Sequence, residues 1–226
     1  MKIIELEEVD STNEYLKRSN FGVDTVVCAK YQTAGKGTKG RSFDSTEGGL
    51  YISVMRCYKN FPAKDAFKIM VNACVAVCKT LEYFGITPDI RWANDVLVDG
   101  KKICGTLIEN TFSGGNIFRS IVGMGINVNN VLPPELRHIA VSMQQIAGKS
   151  FSIEQVKNVL IENLTKDYSI EDYKKYINYF NKPVILRMNE KEVAATALDI
   201  ENDGRLKVLL DGKVQKISSA EVSLRL

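Results

Sequence analysis

The segment best suited to chemistry is a basic, glycine-rich stretch that runs from Gln32 to Arg41. Its glycines are Gly35, Gly37 and Gly40, and its cations are Lys36, Lys39 and Arg41. Glycine permits backbone N–H groups to approach a ligand closely, and the basic side chains bring positive charge to the same loop. From Thr25 to Phe43 there are four cations and no acid. The segment therefore predicts a mobile loop that wraps a small anion.

Two known phosphate-binding motifs have similar spacing but do not fit. Gly-x-Gly-x-x-Gly also occurs in dinucleotide-binding folds, and Gly-x4-Gly-Arg-Ser is one residue away from a P-loop. Both motifs need a helix directly after the loop, because its N-terminus receives the phosphates. Residues 43–49 (FDSTEGG) indicate instead a turn that leads into a strand. We therefore reject both folds but keep the anion-binding chemistry. The simpler alternative is a flexible surface turn that is merely basic.

Two further polar clusters occur later in the chain. Arg91-Trp92-Ala93-Asn94-Asp95 places a cation and two polar residues at a predicted turn, beside an aromatic side chain that needs burial. Residues 123–129 (GMGINVN) end a predicted strand with glycines and amides, where a backbone could again approach a ligand. Taken singly, these clusters are typical of turn residues and of a β-bulge. Their coincidence with the basic loop favours a binding site.

The remaining reactive residue types exclude several classes of site. His138 is the only histidine, so a His-based zinc site and a Ser-His-Asp triad are both poor fits. The five cysteines form no CxxC pair. Cys74 and Cys78 lie in the apolar stripe of a predicted helix, and we interpret them as buried, reduced thiols. We predict no metal site.

Composition indicates an ordinary globular protein. The 226 residues carry a net charge of +3, with 45% hydrophobic and 25% charged residues. A net charge this small argues against an obligate nucleic-acid binder. The N-terminus (MKIIELEEVDS) has no apolar signal region, and the longest apolar run, Ile69 to Cys78, is far shorter than the about 20 residues that span a bilayer. We expect a cytoplasmic protein without a membrane segment.

Helices and strands must position these clusters. Ser11 and Glu14 have the spacing of a capping box, which predicts a helix from about Thr12 to Ser19. Strands are predicted over 26–31 and 50–55, on either side of the basic loop. An amphipathic helix is predicted over 67–84, with its end at Gly85. Strands are then predicted over 90–92, 96–98, 103–109 and 117–127.

The last third of the chain changes in character. Two helices are predicted, one from Ser152 to about Lys166 and the other from Glu171 to Phe180. Short strands follow over 183–188, 192–200, 206–210 and 214–222, with turns at Asn189-Glu190, 202–204 and 211–212. We predict two domains, residues 1–181 and residues 182–226, of which the second is a small all-β barrel.

In this order and at this spacing, the motifs resemble those of the biotin protein ligases, also called biotin–[acetyl-CoA-carboxylase] ligases. The matching pieces are Ser11-Thr12-Asn13, Gln32 to Arg41, Arg91 to Asp95, Lys102-Ile103-Cys104-Gly105, Gly123 to Asn129 and the tail from Ile217 to Leu224. The resemblance spans essentially the whole chain. It implies an α+β fold, in which a mixed β-sheet flanked by helices, of the class II aminoacyl-tRNA-synthetase type, precedes a small C-terminal SH3-like β-barrel.

The resemblance also implies an activity. The family joins biotin and ATP, supplied with Mg²⁺, into biotinyl-5′-adenylate and pyrophosphate. It then transfers biotin to one lysine of a biotin carboxyl carrier domain. Such a reaction depends on positioning and on cationic neutralisation, and it needs no protein nucleophile. That requirement suits a sequence without a credible triad.

Roles for individual residues are implied by the same resemblance. Arg91 and Arg41 would be the catalytic cations, with Arg91 between the biotin carboxylate and the α-phosphate. The residues implied to bind biotin are Ser11, Thr12, Asn13, Gln32, Gly35, Lys36, Gly37, Thr38, Arg91 and Gly105. The residues implied to contact the nucleotide are Lys36, Arg41, Phe43, Asn94 and Asn127. No carboxylate cluster identifies ligands for the Mg²⁺.

The chain departs from the family pattern at several positions. Arg91 stands where the family has lysine in its Lys-Trp-Pro-Asn-Asp motif, and Ala93 replaces the proline. Phe43 stands where the family has tryptophan, and the basic loop has fewer arginines. Arginine keeps the charge of lysine and grips oxyanions bidentately, but it is bulkier than an ammonium point charge.

Two other functions stay open. A lipoate or octanoate ligase or transferase would share the fold, although Gln32 and the Ser-Thr-Asn cluster argue for a polar ureido group. The second is a non-catalytic biotin or adenylate sensor, which is suggested by Arg91 in place of the family lysine. Since the first motif begins at Ser11, we expect no N-terminal DNA-binding domain and no DNA partner. A homodimer is compatible with the resemblance.

Overall fold

A seven-stranded mixed sheet forms the larger part of this computed structural model. The structure describes residues 2–19, 21, 24–188, 191–219 and 222–225. The strands are β1 (Lys2–Val9), β2 (Thr25–Gln32), β3 (Leu50–Pro62), β4 (Asp89–Arg91), β5 (Asp95–Val98), β6 (Lys101–Ser113) and β7 (Asn116–Ile126). Their order is β1-β2-β3-β7-β6-β5-β4, with β1 parallel to β2 and antiparallel pairing elsewhere. The sheet thus brings β3, β7, β6 and β5 side by side.

Helices cover the two faces of this sheet unequally. They are α1 (Thr12–Arg18), α2 (Phe67–Tyr83), α3 (Met143–Ala147), α4 (Ile153–Leu164) and α5 (Ile170–Lys174). Ile52 and Val54 of β3 point into the large core with α2 and α4. Met55 points to the opposite face, where it packs with Leu16 of α1. Because α1 is short, it covers only part of its face, and the rest of that face is left for a binding site.

Helix α2 confirms the prediction made from its apolar spacing. Its buried residues include Cys74, Cys78 and Leu81, all at 0% exposure. Burial raises the pKa of Cys74 to about 12, which agrees with an inert thiol in the core. Gly85 ends the helix with a positive φ of 77°, and the N–H of Ile86 donates to the carbonyl of Leu81 at 3.0 Å. This bonding pattern satisfies carbonyl groups that a helix end leaves open.

The C-terminal segment forms a separate five-stranded antiparallel sheet. Its strands are β8 (Pro183–Met188), β9 (Lys191–Ile200), β10 (Leu206–Leu210), β11 (Lys213–Ile217) and β12 (Val222–Arg225), in the order β11-β10-β9-β8-β12. The small β domain is therefore confirmed, although the single strand predicted over 214–222 is two strands. The predicted Asn189-Glu190 turn and residues 220–221 of the tail motif lie outside the described residues. The domain boundary between residues 181 and 182 stays a prediction.

Three local predictions differ from the structure. Strand β1 was not predicted, because its charged sequence shows no clear alternation of apolar and polar residues. Its parallel partner β2 is also distant in sequence. Helix α3 was also not predicted. The helix predicted from Glu171 to Phe180 ends at Lys174, since the backbone of Tyr176 accepts a hydrogen bond from Ile90 of β4 at 2.7 Å. The backbone at Tyr176 therefore bonds to the edge strand of the sheet, and the helix does not continue. Among the described residues, no helix is long and apolar enough to span a membrane.

We predict that Leu81→Ala lowers the free energy of unfolding by about 2–5 kcal/mol. The side chain is fully buried, so its truncation loses transfer free energy and leaves a cavity. Urea denaturation measures the change. Tyr83→Ala on the same helix is the matched control, because Tyr83 is 63% exposed and should cost less than about 1 kcal/mol. Equal losses in the two variants would contradict the packing argument.

Candidate functional site

A cavity lies on the α1 face of the sheet, between α1, the basic loop and strands β6 and β7. Its volume is about 40 Å³. It is lined by Ser11, Thr12, Asn13, Gln32, Lys36, Gly37, Phe43, Lys102, Gly105, Thr106, Leu107, Gly123, Met124 and Gly125. Residues 11–13, the basic loop and residues 123–125 therefore meet at this cavity, whereas residues 91–95 lie outside its lining.

Glycines without side chains form the floor of the cavity. Gly105 of β6 pairs directly with Gly125 of β7, and Gly123 lies two residues along the same strand. A Cβ atom on Gly125 would lie 2.4 Å from Cε1 of Phe43, and one on Gly123 would lie 2.3 Å from Oδ1 of Asn13. Any side chain at these positions would therefore displace Phe43 or Asn13. Glycine is needed at these positions because other side chains approach the strand backbone closely, and not because the backbone turns there.

A chain of buried polar groups forms one end of the cavity. The N–H of Thr12 donates to Oε1 of Gln32 at 2.8 Å, and Nε2 of Gln32 donates to the hydroxyl of Ser45 at 2.8 Å. The Ser53 hydroxyl lies 2.7 Å from Oγ1 of Thr12 and 2.6 Å from Oδ1 of Asn13. Oγ1 of Thr12 also lies 3.1 Å from Oε1 of Gln32. Because the Asn13 oxygen can only accept, the one hydroxyl proton of Ser53 is donated to it. The arrangement fixes the side chains of Thr12 and Asn13 at the start of α1.

Ser11 does not form the predicted capping box. It is the N-cap residue of α1, but its side chain makes no capping hydrogen bond and faces the cavity. Glu14, the other member of the predicted box, instead accepts from Lys17 at 2.8 Å and lies 2.9 Å from Lys36 of the basic loop. These two lysines, Lys17 first, hold the pKa of Glu14 below its usual range. Ion pairing therefore replaces the reciprocal cap and connects the loop to α1.

The basic loop is a small hairpin. Lys36 and Ser42 form an antiparallel bridge, and the N–H of Gly37 donates to the carbonyl of Arg41 at 2.7 Å. Nε and Nη2 of Arg41 donate to the backbone and the hydroxyl of Thr38 at 3.2 and 3.0 Å. Gly35 lies where a Cβ atom would be 2.4 Å from the carbonyl oxygen of Phe43. The loop is thus closed on itself beside the cavity.

Lys102 lies at the other end of the cavity and belongs to a cluster of one carboxylate and two cations. Asp95 accepts from Lys102 at Oδ1 and from Arg91 at Oδ2, both at 2.8 Å. The ammonium of Lys102 also lies 5.5 Å from the ring centroid of Phe43, a cation–π distance. Burial opposes the ionisation of Asp95, but Lys102 and Arg91 outweigh it and hold the pKa of Asp95 below its usual range. Of these two cations, Lys102 lines the cavity and Arg91 does not.

The turn that carries Arg91 and Asp95 is fixed by buried groups from distant parts of the chain. The backbone N–H of Trp92 donates to the hydroxyl of Tyr179 at 2.9 Å, and the hydroxyl of Tyr173 donates to the carbonyl of Ala93 at 2.8 Å. The indole N–H of Trp92 donates at 2.8 Å to the carbonyl of Gly204, in the turn between β9 and β10. Both domains therefore hold this turn in position.

Of the residues predicted from the sequence, eight line the cavity and six lie outside its lining. The eight are Ser11, Thr12, Asn13, Gln32, Lys36, Gly37, Phe43 and Gly105, and the six are Gly35, Thr38, Arg41, Arg91, Asn94 and Asn127. The Asn94 amide donates to the carbonyl of Thr106 at 3.0 Å. Asn127 is buried, and its amide donates to Val141 at 3.3 Å and accepts from Asn130 at 3.1 Å. The binding roles of these residues stay predictions.

Sequence reasoning missed four contributors to the site. Lys102 stands three residues before Gly105 in a matched motif, but nothing local shows that its side chain reaches over that glycine. Ser53 lies on the α1 side of β3, which the alternation of 50–55 could have indicated. Glu109 accepts from Asn13 at 2.8 Å, and Asp95 bridges two cations. The roles of Glu109 and Asp95 can be recognised only when the pairing of the strands is known.

The chain matches two family models. The Biotin/lipoate A/B protein ligase family model matches residues 5–127, and the Biotin protein ligase C terminal domain model matches residues 179–225. The chain is 31% identical to Bifunctional ligase/repressor BirA of Bacillus subtilis, over 97% of this chain and 72% of that protein. It is 23% identical to Biotin--[acetyl-CoA-carboxylase] ligase of Mycobacterium tuberculosis, over 95% and 86% of the two chains.

A solved structure has the same architecture over almost the whole chain. The biotin protein ligase from Aquifex aeolicus in complex with biotin and ATP superposes with a TM-score of 0.82 at 30% identity, over 99% of this chain and 98% of that one. The chain therefore belongs to the biotin/lipoate A/B protein ligase family, and its C-terminal match places it with the biotin protein ligases, which are ligase enzymes.

We predict that Ser53→Ala lowers the free energy of unfolding by about 1–3 kcal/mol. The substitution leaves Oδ1 of Asn13 buried without its donor, and the desolvation cost of that group is then not offset. Urea denaturation measures the loss. Ser113→Ala, at the exposed end of β6, is the control and should change the stability by less than about 0.5 kcal/mol. A neutral Ser53→Ala would show that the hydroxyl chain is not formed.

We predict a pH-dependent stability difference between the wild type and Asp95→Asn. The folded-state pKa of Asp95 is lowered, so its stabilisation is present above the usual aspartate pKa of about 4. It is lost as the pH falls through the folded-state value. The difference in unfolding free energy should be roughly 2 kcal/mol at neutral pH and should shrink below about pH 4. Denaturation between pH 7 and pH 3 tests this, and a difference that is constant with pH would contradict the ion-pair assignment.

Proposed function

We propose that this protein is an ATP-dependent biotin protein ligase. It would form biotinyl-5′-adenylate and transfer biotin to a lysine of a biotin carboxyl carrier domain. The observation that carries the proposal is the cavity itself. Hydrogen-bonding groups lie at one end, the ammonium of Lys102 lies at the other, and the glycine floor between them adds no side chain of its own.

The polar end suits the ureido group of biotin. Ser11 presents a hydroxyl that makes no capping bond, and Nε2 of Gln32 has a second hydrogen beyond the one it donates to Ser45. Thr12 and Asn13 are held by Ser53 and so are oriented before a ligand arrives. A plain alkyl chain would offer no partner to the Ser11 hydroxyl or to the second Nε2 hydrogen of Gln32, and burying a polar group without a partner is costly. The polar end therefore favours biotin over lipoate or octanoate.

The cationic end suits a carboxylate that is being activated. Lys102 lies inside the cavity, and Lys36 and Arg41 belong to the adjoining loop. The resemblance adds Arg91 as a cation for the carboxylate and the α-phosphate. Gly105 lies under Lys102, whose side chain takes the space that a Cβ atom there would occupy. Preorganised cations stabilise the charge that develops as two anionic reactants meet.

The chemistry has two steps that balance without a protein nucleophile. A carboxylate oxygen of biotin attacks the α-phosphorus of ATP, the bond between the α-phosphate and its bridging oxygen breaks, and pyrophosphate leaves. The ε-amine of the carrier lysine then attacks the acyl carbon of the adenylate, the acyl–phosphate bond breaks, and AMP leaves with the bonding electrons. The amine loses a proton as the amide forms. Positioning by the cavity supplies the main contribution of the protein.

ATP would enter as its Mg²⁺ complex, as a substrate. No group of three or more metal-ligating side chains occurs among the described residues. Magnesium bound to a nucleotide takes many of its ligands from phosphate oxygens and water. For the nucleotide, the proposal keeps Phe43, Asn94 and Asn127 from the resemblance, and Phe43 already packs on the glycine floor. The proposal leaves a homodimer open.

We predict that Lys102→Met lowers kcat/KM for biotin-dependent pyrophosphate exchange by about 10²–10³-fold, because this end of the cavity loses its cation. Lys101→Met is the matched control. Lys101 is the neighbouring residue on β6, but its exposed ammonium donates to the backbone of Arg137. Its replacement should change the rate by less than about threefold. Equal effects in the two variants would contradict the placement of the substrate carboxylate at Lys102.

The wild-type protein separates the competing functions. Biotin-dependent pyrophosphate exchange and labelling of a biotin carboxyl carrier domain would support the proposal. Exchange with lipoate or octanoate in place of biotin would indicate the related ligase. Biotin binding by calorimetry without exchange would indicate a sensor. Absence of both binding and exchange at saturating biotin and ATP would overturn the proposal.

A further inference from the structure

We propose that Arg91 and Asp95 act as positioning residues for Lys102. In this arrangement Arg91 holds Asp95, and Asp95 holds the ammonium that faces the substrate carboxylate. The inference rests on the proposed function and concerns the same cavity. It assigns Arg91 a role through Asp95, whereas the resemblance places Arg91 on the substrate itself.

The first support is the sharing of one carboxylate by two cations. Each oxygen of Asp95 accepts from a different partner, Oδ1 from Lys102 and Oδ2 from Arg91, at 2.8 Å in both cases. A carboxylate bonded at both oxygens cannot rotate without breaking one of the two bonds. Arg91 therefore fixes the plane of the carboxylate, and this plane sets the direction from which Lys102 is held.

The second support is the register of the strands. Arg91 of β4 pairs directly with Asp95 of β5, and Asp95 pairs directly with Gly105 of β6. A Cβ atom on Gly105 would lie 2.8 Å from Cε and from Nζ of Lys102. The missing side chain at Gly105 is therefore the space through which Lys102 reaches Asp95. Three adjacent strands contribute one residue each to this arrangement.

The third support is the different exposure of the two cations to the cavity. Lys102 lines it, with its ammonium over the ring of Phe43, while Arg91 is absent from the lining. The ammonium is thus held by a carboxylate and by a ring, and it can still donate to an incoming anion. A flexible lysine that is already oriented loses less entropy on binding. Orientation is the benefit that Arg91 and Asp95 would supply.

A double-mutant cycle tests the proposal. The variants are Asp95→Asn, Arg91→Met and the two combined, and kcat and KM for biotin are measured separately by pyrophosphate exchange. We expect Asp95→Asn to raise KM for biotin about tenfold and Arg91→Met to raise it about threefold to tenfold. The combined variant should match Asp95→Asn within about twofold, because Arg91 has nothing left to hold. A merely destabilised protein would lower kcat by reducing the active fraction and would leave KM unchanged.

The outcomes separate this proposal from the proposed function. Multiplied losses in the combined variant would show that Arg91 acts independently of Asp95 and would overturn the positioning role alone. A wild type that neither binds biotin nor catalyses exchange would overturn both proposals. Lys166→Met, which removes an exposed cation paired with Glu162, is the charge control and should leave KM within about twofold. Thermal unfolding checks that each variant is folded. If Asp95→Asn does not fold, Asp95→Ser replaces it in the double-mutant cycle.

Discussion

Close approach of side chains to the sheet backbone is the constraint on which the rest of the site depends. Gly105, Gly123 and Gly125 remove three side chains from one face of the sheet, and Asn13, Phe43 and Lys102 occupy part of the space that results. The opposite face of the same strands packs against α2, where Met124 and Ile126 are buried in the core. Successive side chains of a strand point to opposite faces of the sheet. A strand can therefore border the core on one face and a cavity on the other only if the residues on the cavity face are small.

Charge is the second requirement, and the protein meets it with carboxylates of its own. Glu14 binds Lys17 and Lys36, while Asp95 binds Lys102 and Arg91. Cations gathered for an anionic ligand repel one another when that ligand is absent, and these carboxylates reduce the repulsion. The same pairing orients the cations in advance, so that less reorganisation is needed when an anion binds.

Local patterns in the sequence predicted the elements whose burial follows a simple period. The three- and four-residue spacing of α2 and the alternation at the start of β3 gave the correct element types, since each buries one face. Strand β1 was missed because its pairing with β2 is parallel and nonlocal. The Ser11 capping box was wrong because Lys17 and Lys36 engage Glu14, and Lys36 belongs to a loop that sequence spacing cannot bring to α1. Lys102 was missed for the same reason, since its contact with Asp95 appears only when β5 and β6 are in register.

The turn from Arg91 to Asp95 shows why stability and site geometry are linked in this protein. The hydroxyls of Tyr173 and Tyr179 bond to its backbone, and the indole of Trp92 bonds to Gly204 in the turn between β9 and β10. All of these contacts are buried, so each is stronger than its equivalent in water and more costly to break. The hydrogen bond from Trp92 to Gly204 therefore connects the C-terminal segment to the turn that carries Asp95, the carboxylate to which Lys102 is bonded.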